Sequence, residues 1–150
     1  MSTRAVKVVD RVSNDAGSEK IGAETPGGDM AKTLLIVDDS ASMRQLITFT
    51  IKEAGHEVLL AENGRDALEK LKGAKADMVI TDLNMPEMDG ITLITELRKM
   101  ASYKFIPILM LTTESQVAKR EQGRAAGASG WIVKPFSSEK FLEVVKKFIK

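Results

Sequence analysis

No cysteine occurs in the 150 residues, and histidine, tryptophan and tyrosine occur once each. The first absence excludes disulfides and thiol catalysis, and it removes any sign of an oxidising compartment. With a single imidazole and no thiolate, the usual ligand sets for zinc or copper cannot be assembled, so any metal must be held by oxygen. Neither sign of charge dominates: 22 basic residues stand against 21 acidic ones, a net +1. Bulk charge therefore gives no case for nucleic-acid or membrane binding. No apolar run approaches the roughly 18 residues needed to span a bilayer. The N-terminus has Arg4 and Lys7 but no uninterrupted apolar stretch of the secretory kind. No GxGxxG follows the first strand-like run and no GxxxxGK[ST] occurs, which removes the main support for a dinucleotide or P-loop site. No internal repeat is apparent. A cytoplasmic soluble domain without membrane insertion is the expectation.

What remains is an ordinary globular composition, 43% apolar and 29% charged, long enough for one compact domain. Residues 1–31 stand apart. The stretch SNDAGSEKIGAETPGGD is rich in Gly, Ser, Pro and charge without an apolar period, and reads as a flexible tail. AVKVV at 5–9 is the one candidate docking segment or edge strand in it. Met30 looks like a translation start, which would make the tail dispensable or untranslated.

From residue 32 the chain alternates. TLLIV (33–37) is a continuous apolar run, the mark of a strand buried on both faces. Met43, Leu46, Ile47, Thr50, Ile51 and Ala54 then recur at helical spacing, and Gly55 stops that helix. Strands are expected at 57–61, 76–81, 106–111 and 130–133. Helices are expected after Asn63, over 91–100, after a Thr113–Gln116 capping box, and after Ser137 or Ser138. In the last helix Phe141, Leu142, Val145, Phe148 and Ile149 form the inward stripe. Five strand–helix units in strict alternation predict an α/β fold. Its parallel sheet is covered by helices on both faces and joined by right-handed crossovers.

Ligands of open α/β sheets bind beyond the carboxyl ends of the strands. The first strand is followed there by Asp38 and Asp39, and the third by Asp82 in TDLNMPEMDG (81–90). The fourth is followed by Thr112 and Thr113, and the fifth by Lys134 and Pro135. Only the second lacks such a group, which suits an edge strand. Each residue alone has an ordinary explanation as a helix cap, turn residue or solvated charge. Those explanations do not account for all of them meeting at one rim. Three crowded carboxylates repel unless a cation joins them, and hard oxygens suit Mg²⁺. An Asp can accept a phosphoryl group. Lys134 would neutralise that group, and the Thr112 hydroxyl would hydrogen-bond one of its oxygens. Pro135 keeps Lys134 extended and permits a cis bond between them.

The motifs VDD (37–39), TDLNMPEMDG (81–90), LTT (111–113) and WIVKPF (131–136), in this order and spacing, resemble the receiver domain of two-component response regulators. DDSASMRQLI (38–47) leans toward the stand-alone, CheY-like chemotaxis type. The resemblance covers residues 32–150. It implies a flavodoxin-like five-stranded sheet of order 2-1-3-4-5, an order for which this family is itself the standard example. It implies that Asp82 accepts a phosphoryl group from a CheA-like histidine kinase. Mg²⁺ would be bound by Asp39, Asp82 and the Asn84 backbone carbonyl, with Asp38 assisting. Lys134 and Thr112 would sense the phosphoryl group, and Trp131 would be the aromatic switch where the family usually carries Tyr or Phe. Asn84 and Glu114 would tune dephosphorylation, and Thr113 is bulkier than the family's usual residue. With no output domain expected after residue 150, the implied partner is a target protein, such as the flagellar motor switch. It would dock on the fourth helix, fifth strand and fifth helix, where Lys140, Lys146, Lys147 and Lys150 cluster. A phosphatase is a further candidate partner.

Two other readings stand beside this one. A phosphorelay intermediate would pass its phosphoryl group to a histidine phosphotransferase. A phosphatase of the haloacid dehalogenase type or a flavodoxin would be a different class altogether. Against the phosphatase, Asp82 is followed by Leu83 and Asn84 rather than a second Asp at the DxD position. Against the flavodoxin, Asp38 and Asp39 would repel a flavin phosphate. His56, after Gly55 in a turn away from the rim, reads as an ordinary solvated side chain rather than a phosphorelay histidine.

Overall fold

The computed structural model describes residues 31–149. The tail expected over 1–31 and the AVKVV segment lie almost wholly outside the described residues. The elements alternate without exception: β1 Thr33–Val37, α1 Ala41–Glu53, β2 Glu57–Ala61, α2 Gly64–Gly73, β3 Met78–Asp82, α3 Gly90–Lys99, β4 Ile108–Thr113, α4 Val117–Ala126, β5 Gly130–Lys134 and α5 Ser138–Phe148. A single 3₁₀ turn, Ala101–Tyr103, follows α3. The strands pair in parallel in the order β2-β1-β3-β4-β5, with β2 and β5 at the edges. This is the 2-1-3-4-5 arrangement that the resemblance implies.

Period-two alternation divides the apolar strand residues between two cores. Leu34, Ile36, Met78, Ile80, Leu109 and Leu111 pack with Ile47 and Ile51 of α1 and with Phe141 and Val145 of α5. Leu35, Val37, Val79, Ile108 and Met110 pack instead with Ala67 and Leu71 of α2 and with Leu93, Ile94 and Leu97 of α3. The helices therefore cover both faces.

Local signals set the helix starts. Ser40, Asn63, Asp89 and Ser137 each accept a backbone N–H from the first turn of the helix they cap. Asp66 reaches back as in a capping box, but to the Glu62 N–H at 3.0 Å rather than to that of Asn63. The box expected at Thr113 and Gln116 is half formed. Gln116 Oε1 accepts the Thr113 N–H at 2.8 Å. Thr113 Oγ1 instead lies 3.0 Å from Ser115 Oγ, and the Gln116 N–H donates to the Thr113 carbonyl at 3.1 Å. Helix α4 consequently starts one residue after Gln116. On α1 the helical spacing overreached: Leu46 is exposed, as is Phe49 beside it, while Ile47, Thr50 and Ile51 face inward. His56 is half-buried, not simply solvated. Its Nδ1 accepts the Lys32 N–H at 3.1 Å, at the end of the sheet opposite the rim.

Candidate functional site

The carboxyl ends of β1 and β3 lie side by side, with Val37 opposite Thr81. The residues that follow, Asp38 and Asp82, thus emerge next to each other. Oxygens of Asp38, Asp39 and Asp82 come within 4.8 Å of one another. Asp38 and Asp82 are buried, and Asp39 is exposed at the mouth.

Each buried carboxylate is held by local backbone. Asp38 Oδ1 accepts the Ser40 N–H at 2.9 Å, and the Asp38 carbonyl accepts from the Arg44 guanidinium at 2.7 Å. Asp82 Oδ1 accepts the Leu83 N–H at 2.8 Å and the Asn84 N–H at 3.5 Å. The other oxygen of each faces Lys134, whose Nζ lies 3.6 Å from Asp38 Oδ2 and 3.4 Å from Asp82 Oδ2. The peptide bond between Lys134 and Pro135 is cis.

Burial raises the Asp82 pKa above the ordinary carboxylate value. Lys134 pulls it back, the neighbouring Asp38 charge adds to the rise, and the Leu83 and Asn84 N–H groups lower it. Among the described residues no hydrogen-bond donor reaches Asp38 Oδ2, although it is buried. With only the Lys134 ammonium at 3.6 Å as an ionic neighbour, a buried anionic oxygen of this kind favours the approach of a further cation. The donor set is all oxygen and carries up to three negative charges. It fits a hard divalent cation.

Thr112, one residue beyond the Asp82 level on the adjacent β4, is fully buried. Its hydroxyl is directed at Gln116 Oε1 and the Thr113 carbonyl, 3.2 Å from each. Glu114 is exposed and borders a shallow depression with Thr113, Ser115 and Lys134. Asn84 is also exposed, and its side-chain oxygen accepts from Lys119 Nζ of α4, which bridges across the rim. Trp131 stands apart from this group. It pairs with Met110 lower on the sheet, is 40% exposed, and stacks under the Arg120 guanidinium, 4.9 Å from its ring centroid.

Several contributors were not singled out from the sequence. Gly90 is one: a Cβ there would lie 2.2 Å from the Asp82 carbonyl oxygen, so only glycine lets α3 start against the Asp82 backbone. The Gly90 N–H donates to the Leu83 carbonyl at 3.1 Å and closes the loop. Glu87, in that loop, has φ +69°, and the Met88 N–H reaches the Pro86 carbonyl at 2.7 Å, a tight reversal strained for a non-glycine residue. Arg44, Lys119 and Arg120 are the others. Their helical positions were legible, but their cross-element contacts had no local signal.

A doubly wound α/β domain with a buried acidic rim and a lysine over it defines a narrow class of protein. Comparisons with known proteins agree with it. The model for the response regulator receiver domain matches residues 34–146. The chain is 45% identical over 108 residues to the chemotaxis protein CheY1 of Helicobacter pylori, covering 71% of this chain and 87% of that protein. Among solved structures, the chemotaxis response regulator CheY4 of Vibrio cholerae superposes with a TM-score of 0.76 at 44% identity. That match covers 80% of this chain and all of the other. The receiver domain of a signal transduction histidine kinase from Syntrophus aciditrophicus gives 0.73 at 30% identity, over 79% and 89% of the two chains. The chain belongs to the response regulator receiver domain family, and within it is CheY-like. Among the described residues no helix is long and apolar enough to cross a membrane.

Proposed function

We propose that this protein is a phosphorylation-activated switch of a chemotaxis pathway in the cytoplasm, with Asp82 as the phosphoryl acceptor. Residues 32–150 form the receiver in this reading, and 1–31 an extension outside it. The observation that carries it is Lys134 Nζ set between Asp82 Oδ2 at 3.4 Å and Asp38 Oδ2 at 3.6 Å, where three carboxylates meet.

Asp38, Asp39 and Asp82, with the Asn84 backbone carbonyl, would hold Mg²⁺, which offsets the charge of the carboxylates and of an incoming phosphoryl group. A carboxylate oxygen of Asp82 attacks the phosphorus of a phosphohistidine on a CheA-like kinase. The new O–P bond forms as the P–N bond breaks, and the electron pair stays on the imidazole nitrogen, which is then protonated. Lys134 is pre-placed to pair with a phosphoryl oxygen, so little reorganisation is needed. The Thr112 hydroxyl then donates to a second phosphoryl oxygen. Asn84 and Glu114 border the path of a hydrolytic water and set how long the acyl phosphate lasts, and a phosphatase partner would act there.

The output is a shift between two states, read by a target protein on the α4–β5–α5 face, with the flagellar motor switch as the candidate. Trp131 lies on that face and serves as the aromatic switch. The chemotaxis assignment rests on the likeness to the CheY1 and CheY4 proteins.

Intact-mass analysis after incubation with acetyl phosphate and Mg²⁺ tests the reading. The wild type should gain one phosphoryl group, and Asp82→Asn and a Mg²⁺-free sample should gain none. Labelling that persists in Asp82→Asn, or a wild type that stays unlabelled, would remove it. Onward transfer to a histidine phosphotransferase would favour the phosphorelay role instead.

A further inference from the structure

Gln116 makes a contact that neither the acceptor site nor the helix start accounts for. Its Oε1 receives the Thr113 N–H at 2.8 Å, which fixes the amide in place. The same oxygen lies 3.2 Å from Thr112 Oγ1, and the Thr113 carbonyl lies at the same distance from it. Both neighbours are acceptors only, so the hydroxyl hydrogen is what binds them. Thr112 is fully buried, so water cannot stand in for either partner.

A hydroxyl has one hydrogen to give. In the resting arrangement that hydrogen is shared between Gln116 and the Thr113 carbonyl, and turning it to a phosphoryl oxygen on Asp82 gives up both contacts. We propose that Gln116 is a positioning residue that holds the Thr112 hydroxyl in its resting orientation and competes with the phosphoryl group for it. This rests on the reading of Asp82 as acceptor and adds to it a residue that sets how readily the switch is thrown. A protein competent for only part of the time binds its activator more weakly by that fraction, and the brake provided by Gln116 enters as such a factor.

Two roles separate cleanly here. As a helix cap alone, Gln116 would affect stability and leave affinity for a phosphoryl mimic unchanged. As a competitor, it would affect affinity, and only while the Thr112 hydroxyl is present.

The test is calorimetric titration of beryllofluoride into Mg²⁺-loaded wild type, Gln116→Ala, Gln116→Met, Thr112→Val and the Thr112→Val/Gln116→Ala double variant. Gln116→Met keeps the side-chain length if the alanine variant folds poorly. The single Gln116 variants should bind roughly 2- to 5-fold more tightly, less than a full neutral hydrogen bond because the Thr113 carbonyl still competes for the hydrogen. In the Thr112→Val background the same change should have no effect. Unchanged affinity in both Gln116 variants, or a gain that persists without the Thr112 hydroxyl, overturns the proposal while leaving Asp82 as acceptor. A wild type that binds no beryllofluoride overturns both.

Discussion

Helices α3 and α4 are neighbours of equal length, ten residues each, yet they sit on the sheet quite differently. Helix α3 buries Gly90, Leu93, Ile94 and Leu97, and its first residue is wedged against the Asp82 carbonyl. Helix α4 buries only Gly123, whose missing side chain makes room for the Met110 thioether; a Cβ there would lie 2.2 Å from Sδ. Val117 is exposed, and polar side chains supply the other notable contacts of α4 and the residue before it: Gln116 to Thr112, Lys119 to Asn84 and Arg120 to Trp131. One helix starts against the backbone of Asp82, the proposed acceptor, and the other touches the residues proposed to respond. A helix with little buried apolar area can be moved at low cost, whereas one with four inward residues cannot.

The largest expected effect tests the rigid side. Leu97→Ala, at a fully buried α3 position, should cost about 2–5 kcal/mol of unfolding free energy. Val117→Ala on α4 should stay within about 0.5 kcal/mol. Urea denaturation of both variants checks this. Comparable losses would mean that α4 is anchored as firmly as α3, and the contrast would fail.

A second test concerns Asp82, the proposed acceptor. Because burial holds the Asp82 pKa above its ordinary value of 3.8, the native state keeps that proton more tightly than the unfolded chain does. Stability contributed by this group therefore falls as pH rises from the ordinary value through the raised one, and stays low above it. Without Mg²⁺, Asp82→Asn should be more stable than wild type at neutral pH by roughly 0.5–2 kcal/mol, a range common for single stabilising changes. The gap should close as pH falls through that window. Mg²⁺ at 100 times its dissociation constant should raise the wild type by about 2.7 kcal/mol. Melting curves with and without Mg²⁺ decide it, and an Asp82→Asn variant less stable at every pH would show that the rim carries no electrostatic strain.

The parallel sheet was legible because the apolar runs are short, buried on both faces and separated by helical periods; its strand order came from the resemblance to the receiver family, since no local pattern encodes it. Boundaries moved by a residue or two: the third strand runs 78–82 rather than 76–81, and the fourth 108–113 rather than 106–111. Pro107 lies just outside the fourth strand, where its carbonyl accepts the Val79 N–H at 3.1 Å. Asp38, Asp39, Asp82 and Lys134 were legible as a site because strand ends in such a sheet share one edge. The contacts of Lys119 and Arg120 were not, since each links α4 to a different element and no local pattern encodes that; for Gln116 the capping-box pattern gave its bond to the Thr113 N–H but not its contact with the Thr112 hydroxyl. Gly90 could be read as a loop marker but not as the residue that Asp82 requires, because its role is a close approach visible only in three dimensions.

The smallest effect is also the most informative about the switch. Trp131, the proposed aromatic switch, is partly exposed and stacks with the Arg120 guanidinium, a contact worth about 0.5–1 kcal/mol. That energy is comparable to the bias a two-state side chain needs to favour one position several-fold. Arg120→Ala should therefore alter stability little, yet let the indole sample the interior more often. Acrylamide quenching of the single tryptophan should fall in Arg120→Ala relative to wild type, and beryllofluoride should lower it further in both. Arg120→Lys, which keeps the charge but loses the planar stack, should lie between them. Quenching that rises in Arg120→Ala would mean that the guanidinium shields the ring rather than detaining it, and that the outward position of Trp131 is set by its own packing on β5.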